Sequence, residues 1–205
     1  MIGRKKLGFY VFNGAWAIYF FLWSYAHFQV AHSLSGLRLA VEVLLIFQNL
    51  LLVLFFTIRR IAKATSWNLW DVFIAFVGTF ATTLFWPTKH GTPHVTAFLL
   101  QFLGSLTTLY ASLSLGRSWG VLPANRSIQT KGMYRFIRHP IYASYQIFTI
   151  GYLINEHSLY NLMVGLISLL SQIMRISSEE KLLAKDPTYE KYRQCVRWRM
   201  IPYIY

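Results

Sequence analysis

RHPIYASYQIFTIGYLINEHSLYNLMVGLISLLSQIMRISSEE, residues 138–180, decides how this chain is read. Two apolar runs, Pro140–Asn155 and Leu159–Ile176, are parted only by the polar Asn155-Glu156-His157-Ser158. So short a polar link between two apolar helices makes a helical hairpin. Pro140 suits a first helical turn, where its missing N–H costs nothing. That end keeps free amide donors and a partial positive charge. The returning helix brings Arg175 and Glu179, one turn apart on one face, back to the same end. His139, Tyr142, Arg175 and Glu179 therefore converge although about 40 residues separate them.

Working outward, four more apolar segments precede the hairpin: Phe9–Val30, Leu37–Ile58, Trp67–Trp86 and Val95–Leu115. A helix needs roughly 20 residues to cross the hydrocarbon. These four reach that length, and the hairpin's two arms are shorter. The fold class expected is all-α: a polytopic integral membrane helical bundle of about six transmembrane helices. Composition agrees, with 55% hydrophobic residues, only 13% charged and long apolar runs. No internal repeat or low-complexity tract interrupts them. The first run is too long for a signal-peptide core and reads as a retained span. No prenylation box ends the sequence, and the single Cys195 excludes an internal disulfide or thiolate cluster.

The net charge of +13 does not mark a nucleic-acid binder. Such proteins gather basic residues on a face that tracks phosphates, whereas here they sit in short clusters between apolar runs. With the N-terminus cytoplasmic, 18 of the 20 Lys and Arg residues fall on that side, and only Arg38 and Lys89 on the other. This asymmetry places both termini in the cytoplasm. A bacterial inner membrane is the expected location, or the endoplasmic reticulum in a eukaryote. Membrane lipids are the expected surroundings. After Lys185, Asp186-Pro187 signals a new helix start. A short amphipathic cytoplasmic helix, Thr188 to about Val196, should carry Tyr189 and Tyr192 on one face. Residues 1–94 read as motif-free transmembrane helices and 95–205 as the part that carries chemistry.

Beyond the hairpin, the chemistry-bearing stretches are 115–142 and 175–192. They include Gly132-Met133-Tyr134, Arg138 to Tyr142, Arg175 to Glu180, Tyr189 to Tyr192, and Pro202. In this order and spacing they resemble the isoprenylcysteine carboxyl methyltransferase family and its bacterial and archaeal relatives. The resemblance covers about the last 90 residues. It implies an S-adenosyl-L-methionine pocket at the cytoplasmic edge, with S-adenosyl-L-homocysteine as product. By motif position the cofactor contacts would be Arg126, Ser127, Ile128, Gln129, Tyr134, His139, Pro140, Ile141, Tyr142 and Glu179. Arg175 would meet the acceptor, with His139 and Tyr142 beside the reacting atoms. The chain departs from many family members at Tyr142-Ala143-Ser144-Tyr145, where a glycine usually follows two residues after the tyrosine.

The residue types suit that chemistry. A guanidinium can grip an anionic oxygen with two prongs. A carboxylate acceptor is already nucleophilic, so positioning and desolvation suffice. An amine or thiol acceptor would need a base, for which His139 or Tyr142 is placed. The expected function is O-methylation of a carboxylate on a lipophilic small-molecule or lipidated acceptor. Its rivals are a phospholipid N- or thiol S-methyltransferase, a membrane reductase of related architecture, and a non-enzymatic membrane scaffold. No metal is expected: His90 and His94 are four apart, but Gly91 and Pro93 intervene and no carboxylate is near. Glu42 inside the second helix should pair with Arg38 one turn away. His27 and His32 should be interfacial residues of the first outer loop, and Asp71 should complement the start of the third helix.

Overall fold

The computed structural model describes residues 2–87 and 94–205, with side chains from residue 8 onward. The helices are α1 (Ile2–Ala31), α2 (Gly36–Ile58), α3 (Leu69–Phe80), α4 (Val95–Leu115), α5 (Pro140–Asn155), α6 (Leu159–Leu183) and α7 (Pro187–Cys195). Lys89, His90, Gly91 and Pro93 lie outside the described residues, as do the side chains of Arg4, Lys5 and Lys6.

Helices α4 and α6 are built inside out relative to a soluble protein. α4 exposes Leu99, Leu103, Leu106 and Leu113 while burying Gln101, Ser105, Thr108 and Ser112. α6 exposes Leu162, Met163, Leu166, Ile167 and Leu170 while burying Asn161, Ser168, Ser171, Gln172 and Arg175. Water would reverse that arrangement, and lipid rewards it.

The sequence reading expects six spans. Among the described residues, α2, α4 with its extension to Ser118, and α6 are long and apolar enough to cross a membrane. α3 stops at 12 residues and tightens into a 3₁₀ turn at Ala81–Leu84. There the Thr79 and Thr83 hydroxyls donate back to the Ala75 and Phe80 carbonyls, a local competition that loosens helices. α5 has only 16 residues. α1 has the length, but Asn13, Ser24, His27 and Gln29 dilute its apolar content.

The closest helix pair is α4 with α5. A Cβ at Gly104 would stand 2.6 Å from the Phe148 backbone nitrogen, and one at Gly151 would stand 2.5 Å from the Ala97 carbonyl oxygen. Small residues let backbones approach like this where no hydrophobic drive separates helix from lipid. α3 packs on α6, and α2 bridges α1 to α4. Asn161 on α6 acts as a backbone surrogate. Its amide accepts from Trp86 N at 3.0 Å and donates to Trp86 O at 2.8 Å.

An aromatic core joins the first helices to the rest. Trp16 stacks on Phe20, Phe56 and Phe80 at 5.7–5.8 Å, and Trp119 meets Phe56 edge-on at 5.3 Å. The Arg59 guanidinium lies 4.6 Å above the Phe56 ring and donates to Asn13. Beyond α2 the chain is laced to the loop after α4. A two-residue antiparallel pair, β1 (Ala64–Thr65) with β2 (Ala124–Asn125), is flanked by Lys63 N to Asn125 O at 2.7 Å and Ser66 N to Pro123 O at 3.0 Å.

The expected Arg38–Glu42 pair does not form. Instead Glu42 pairs with His27 at 2.6 Å, and Arg38 lies over the Phe98 ring at 5.1 Å. His27 belongs to α1 rather than to an outer loop, because α1 continues to Ala31 and the α1–α2 hairpin sets its imidazole across from α2. Asp71 sits in the first turn of α3, where its carboxylate accepts from Ser66 and, at 2.6 Å, from Ser178 on α6.

Candidate functional site

The proline that opens α5 fixes one side of the site. Pro140 occupies the first turn, and His139 precedes it with φ −128° and ψ 59°, outside helical space. The Arg138 and His139 amides are not left to solvent; they donate to the Trp198 and Arg199 carbonyls at 2.9 and 2.8 Å. The tail beyond α7 thus holds the α5 entrance like an added strand.

α6 supplies the other side. Glu179 and Glu180 are adjacent, so their side chains diverge by about 100° around the helix. Glu180 turns inward and is the hub of a buried charge cluster. It accepts from Arg138 Nε at 2.7 Å and from Arg199 Nε at 2.9 Å, and it lies 3.1 Å from His139 Nε2. Arg138 also donates through Nη1 to the Val196 and Arg197 carbonyls at 2.8 and 2.7 Å. Arg199 in turn is braced by Tyr205, whose backbone oxygen accepts from the amides of Arg199, Met200 and Ile201. Its hydroxyl lies 3.2 Å from Arg199 Nη1.

Glu179 faces the cavity. It accepts from the Tyr142 hydroxyl, and its other oxygen stands 3.8 Å from His139 Nδ1. The imidazole and the Tyr142 ring stack at 5.8 Å. Arg175 is buried, its Nη2 donating to the Val121 carbonyl at 2.9 Å and its guanidinium 5.1 Å over the Tyr142 ring. Its Nε has no partner among the described residues.

The loop after α4 closes the site. Gly132, at φ +61°, lets the chain pass beneath α4; a Cβ there would stand 2.8 Å from Ser114 Cβ. Arg126 is buried, and its Nε has no partner among the described residues. Burial lowers its pKa to about 10, opposed by the charge of Glu179, so it stays cationic at neutral pH. Ser127, in a left-handed conformation at φ 142°, receives Arg60 Nη1 at 2.7 Å and Gln129 Nε2 at 3.1 Å. The Tyr192 hydroxyl donates to the Tyr134 carbonyl at 2.5 Å. Burial pushes both phenols up, keeping them protonated donors. Asp186 caps α7 by accepting from Thr188 N at 2.9 Å, and it accepts from Asn125 Nδ2 at 2.8 Å. That fixes Tyr189 and Tyr192 against Ile128 and Leu183.

These groups line one cavity of about 300 Å³. Arg126, Ser127, Ile128, Gln129, Tyr134, His139, Ile141, Tyr142, Arg175 and Glu179 all border it, while Pro140 lies buried behind the wall. The cavity continues between the helices past Gln172 and Ser105 to Tyr19, Trp23 and His27. Sequence reasoning missed the hub role of Glu180 and its partners Arg138 and Arg199. It also missed the contribution of α1–α3 to the wall. The Glu179-Glu180 doublet was the available signal for the hub; the wall residues of α1 carry none.

Helices with apolar outer faces, whose buried polar groups line a cavity between them, define the class as a helical membrane protein with an internal cavity. A family likeness covers the second part of the chain. Residues 92–191 match the family model described as phospholipid methyltransferase, which belongs to the isoprenylcysteine carboxyl methyltransferase-like superfamily of membrane methyltransferases. That part of the chain is therefore similar to membrane methyltransferases. The comparison with curated proteins returned no match.

Proposed function

We propose that this protein is an S-adenosyl-L-methionine-dependent methyltransferase that O-methylates a carboxylate on a lipophilic acceptor entering from the bilayer. In this reading α1–α6 all span the membrane, both termini and α7 lie in the cytoplasm, and the mouth at His139 and Glu179 opens there. The observation that carries it is the continuity of the cavity, from Arg126, Tyr134, His139 and Glu179 into the membrane-depth space beside Tyr19 and Trp23.

The residues present fit the methyl donor. Arg126 offers a buried nitrogen, without a partner among the described residues, to a ligand carboxylate, and Glu179 offers an acceptor for ribose hydroxyls. When bound, the donor would supply a methyl group activated on a sulfonium. Tyr142 orients Glu179 by donating to it, and the Glu180 hub holds His139 in place. Arg175 holds the acceptor oxygen with the donors left over from the single bond that Nη2 makes to Val121. The enclosed walls exclude water, and neutralisation of opposite charges in the transition state gains from that low dielectric.

Purified full-length protein is expected to bind S-adenosyl-L-homocysteine at micromolar Kd. Glu179→Ala and His139→Ala should each weaken that by tenfold or more. Unchanged binding in both variants places the donor elsewhere. The family description favours a second reading, in which a phospholipid amine is the acceptor and His139 takes its proton. Radiolabelled methyl transfer into total lipid separates the two, since a methyl ester is lost in mild base and an N-methyl group is not.

A further inference from the structure

Deep in the cavity the wall is unlike a channel for a plain hydrocarbon chain. Gln172 on α6 is fully buried, and both Nε2 and Oε1 lack a partner among the described residues. Ser105, at the midpoint of α4, is 2% exposed and its Oγ is likewise unpartnered. Both border the cavity, with Asn49, Gln48 and Thr108 beside them. Gln48 donates to the Ser105 carbonyl at 3.0 Å, and Asn49 donates to the Leu45 carbonyl at 2.9 Å, so those two are already occupied. Gln172 stands seven residues from Glu179, roughly 10 Å along the helix and two turns further from the mouth.

Polar groups at this depth are satisfied by something, because lipid offers them nothing. An alkyl chain lying against Gln172 and Ser105 would leave an amide donor, an amide acceptor and a hydroxyl stranded. A group that both donates and accepts would pair them. We infer that the acceptor carries a second hydrogen-bonding group, a hydroxyl or amide, within its apolar chain, and that Gln172 and Ser105 bind it. The inference rests on the methyltransferase reading and specifies its substrate class: an amphiphile functionalised midway along the tail. Discrimination follows the asymmetry of hydrogen bonding, since a site built for such a group rejects the analogue that lacks it.

The test compares tritiated 10-hydroxyoctadecanoic acid with octadecanoic acid, binding to the full chain in nanodiscs with saturating S-adenosyl-L-homocysteine. The hydroxylated acid is expected to bind at least tenfold more tightly. Gln172→Leu should abolish that preference and Ser105→Ala should reduce it, both with S-adenosyl-L-homocysteine affinity unchanged. Ligand-free Gln172→Leu should melt at or above the wild-type temperature, since it removes stranded polar atoms. Equal affinities in the wild type, no binding of either acid, a preference that survives both substitutions, or a lowered melting temperature overturns the inference. If S-adenosyl-L-homocysteine still binds, the methyltransferase reading stands without it; if the wild type fails to bind it, both fall.

Discussion

Glu180 shows how a single residue organises the site without touching the cavity. Arg138, His139 and Arg199 all converge on its two oxygens. Removing one member of a buried ion pair strands the others, typically at about 3–5 kcal/mol. Glu180→Gln keeps the shape but loses the charge, and is expected to lower unfolding free energy by about 3 kcal/mol on the same grounds. Denaturation of purified protein in mixed micelles measures it, and a loss under 1 kcal/mol would remove Glu180 from the centre of this account. Sequence reasoning named the Glu179-Glu180 doublet but assigned a role only to the first. Adjacent residues on a helix face different ways, and which one faces inward depends on helix rotation, which no local pattern reports. The same limit explains Glu42. Its partner on its own helix was visible, whereas the imidazole that pairs with it is brought by the register of α1 against α2.

At the scale of elements, the hairpin was legible because its signals are local: a first-turn proline, a four-residue polar turn and two apolar arms. The contact between α4 and α5 was not, since it depends on two glycines that are unremarkable in sequence. Gly151→Val would drive branched carbon into the Ala97 carbonyl and the Gln101 amide. Overpacking of this kind costs about 1–3 kcal/mol. We expect a lower melting temperature together with at least threefold weaker S-adenosyl-L-homocysteine binding, because α5 carries His139 and Tyr142 at its entrance. Wild-type values for both would show that the two helices have room to part. The early end of α3 also escaped the sequence reading. Its apolar run continues to Trp86, but threonine hydroxyls at 79 and 83 compete for the carbonyls that would extend it.

At the scale of the molecule, the inside-out burial of α4 and α6 carries the membrane assignment more firmly than segment lengths do. Topology can be read with the protein's own chemistry. Cys195, the only cysteine, is exposed at the end of α7. An impermeant maleimide should label it in inverted vesicles and leave it unlabelled in sealed right-side-out ones. The opposite result would invert the orientation proposed from the distribution of Lys and Arg.

The short ladder between residues 64–65 and 124–125 has one more implication. Each of those segments completes the edge of the other, and Arg60 reaches across to Ser127. The motif-bearing stretch thus owns only one rail of the track on which its loop runs. Grafting residues 92–191 into a foreign bundle would carry over the reactive vocabulary and leave behind the grammar that orders it.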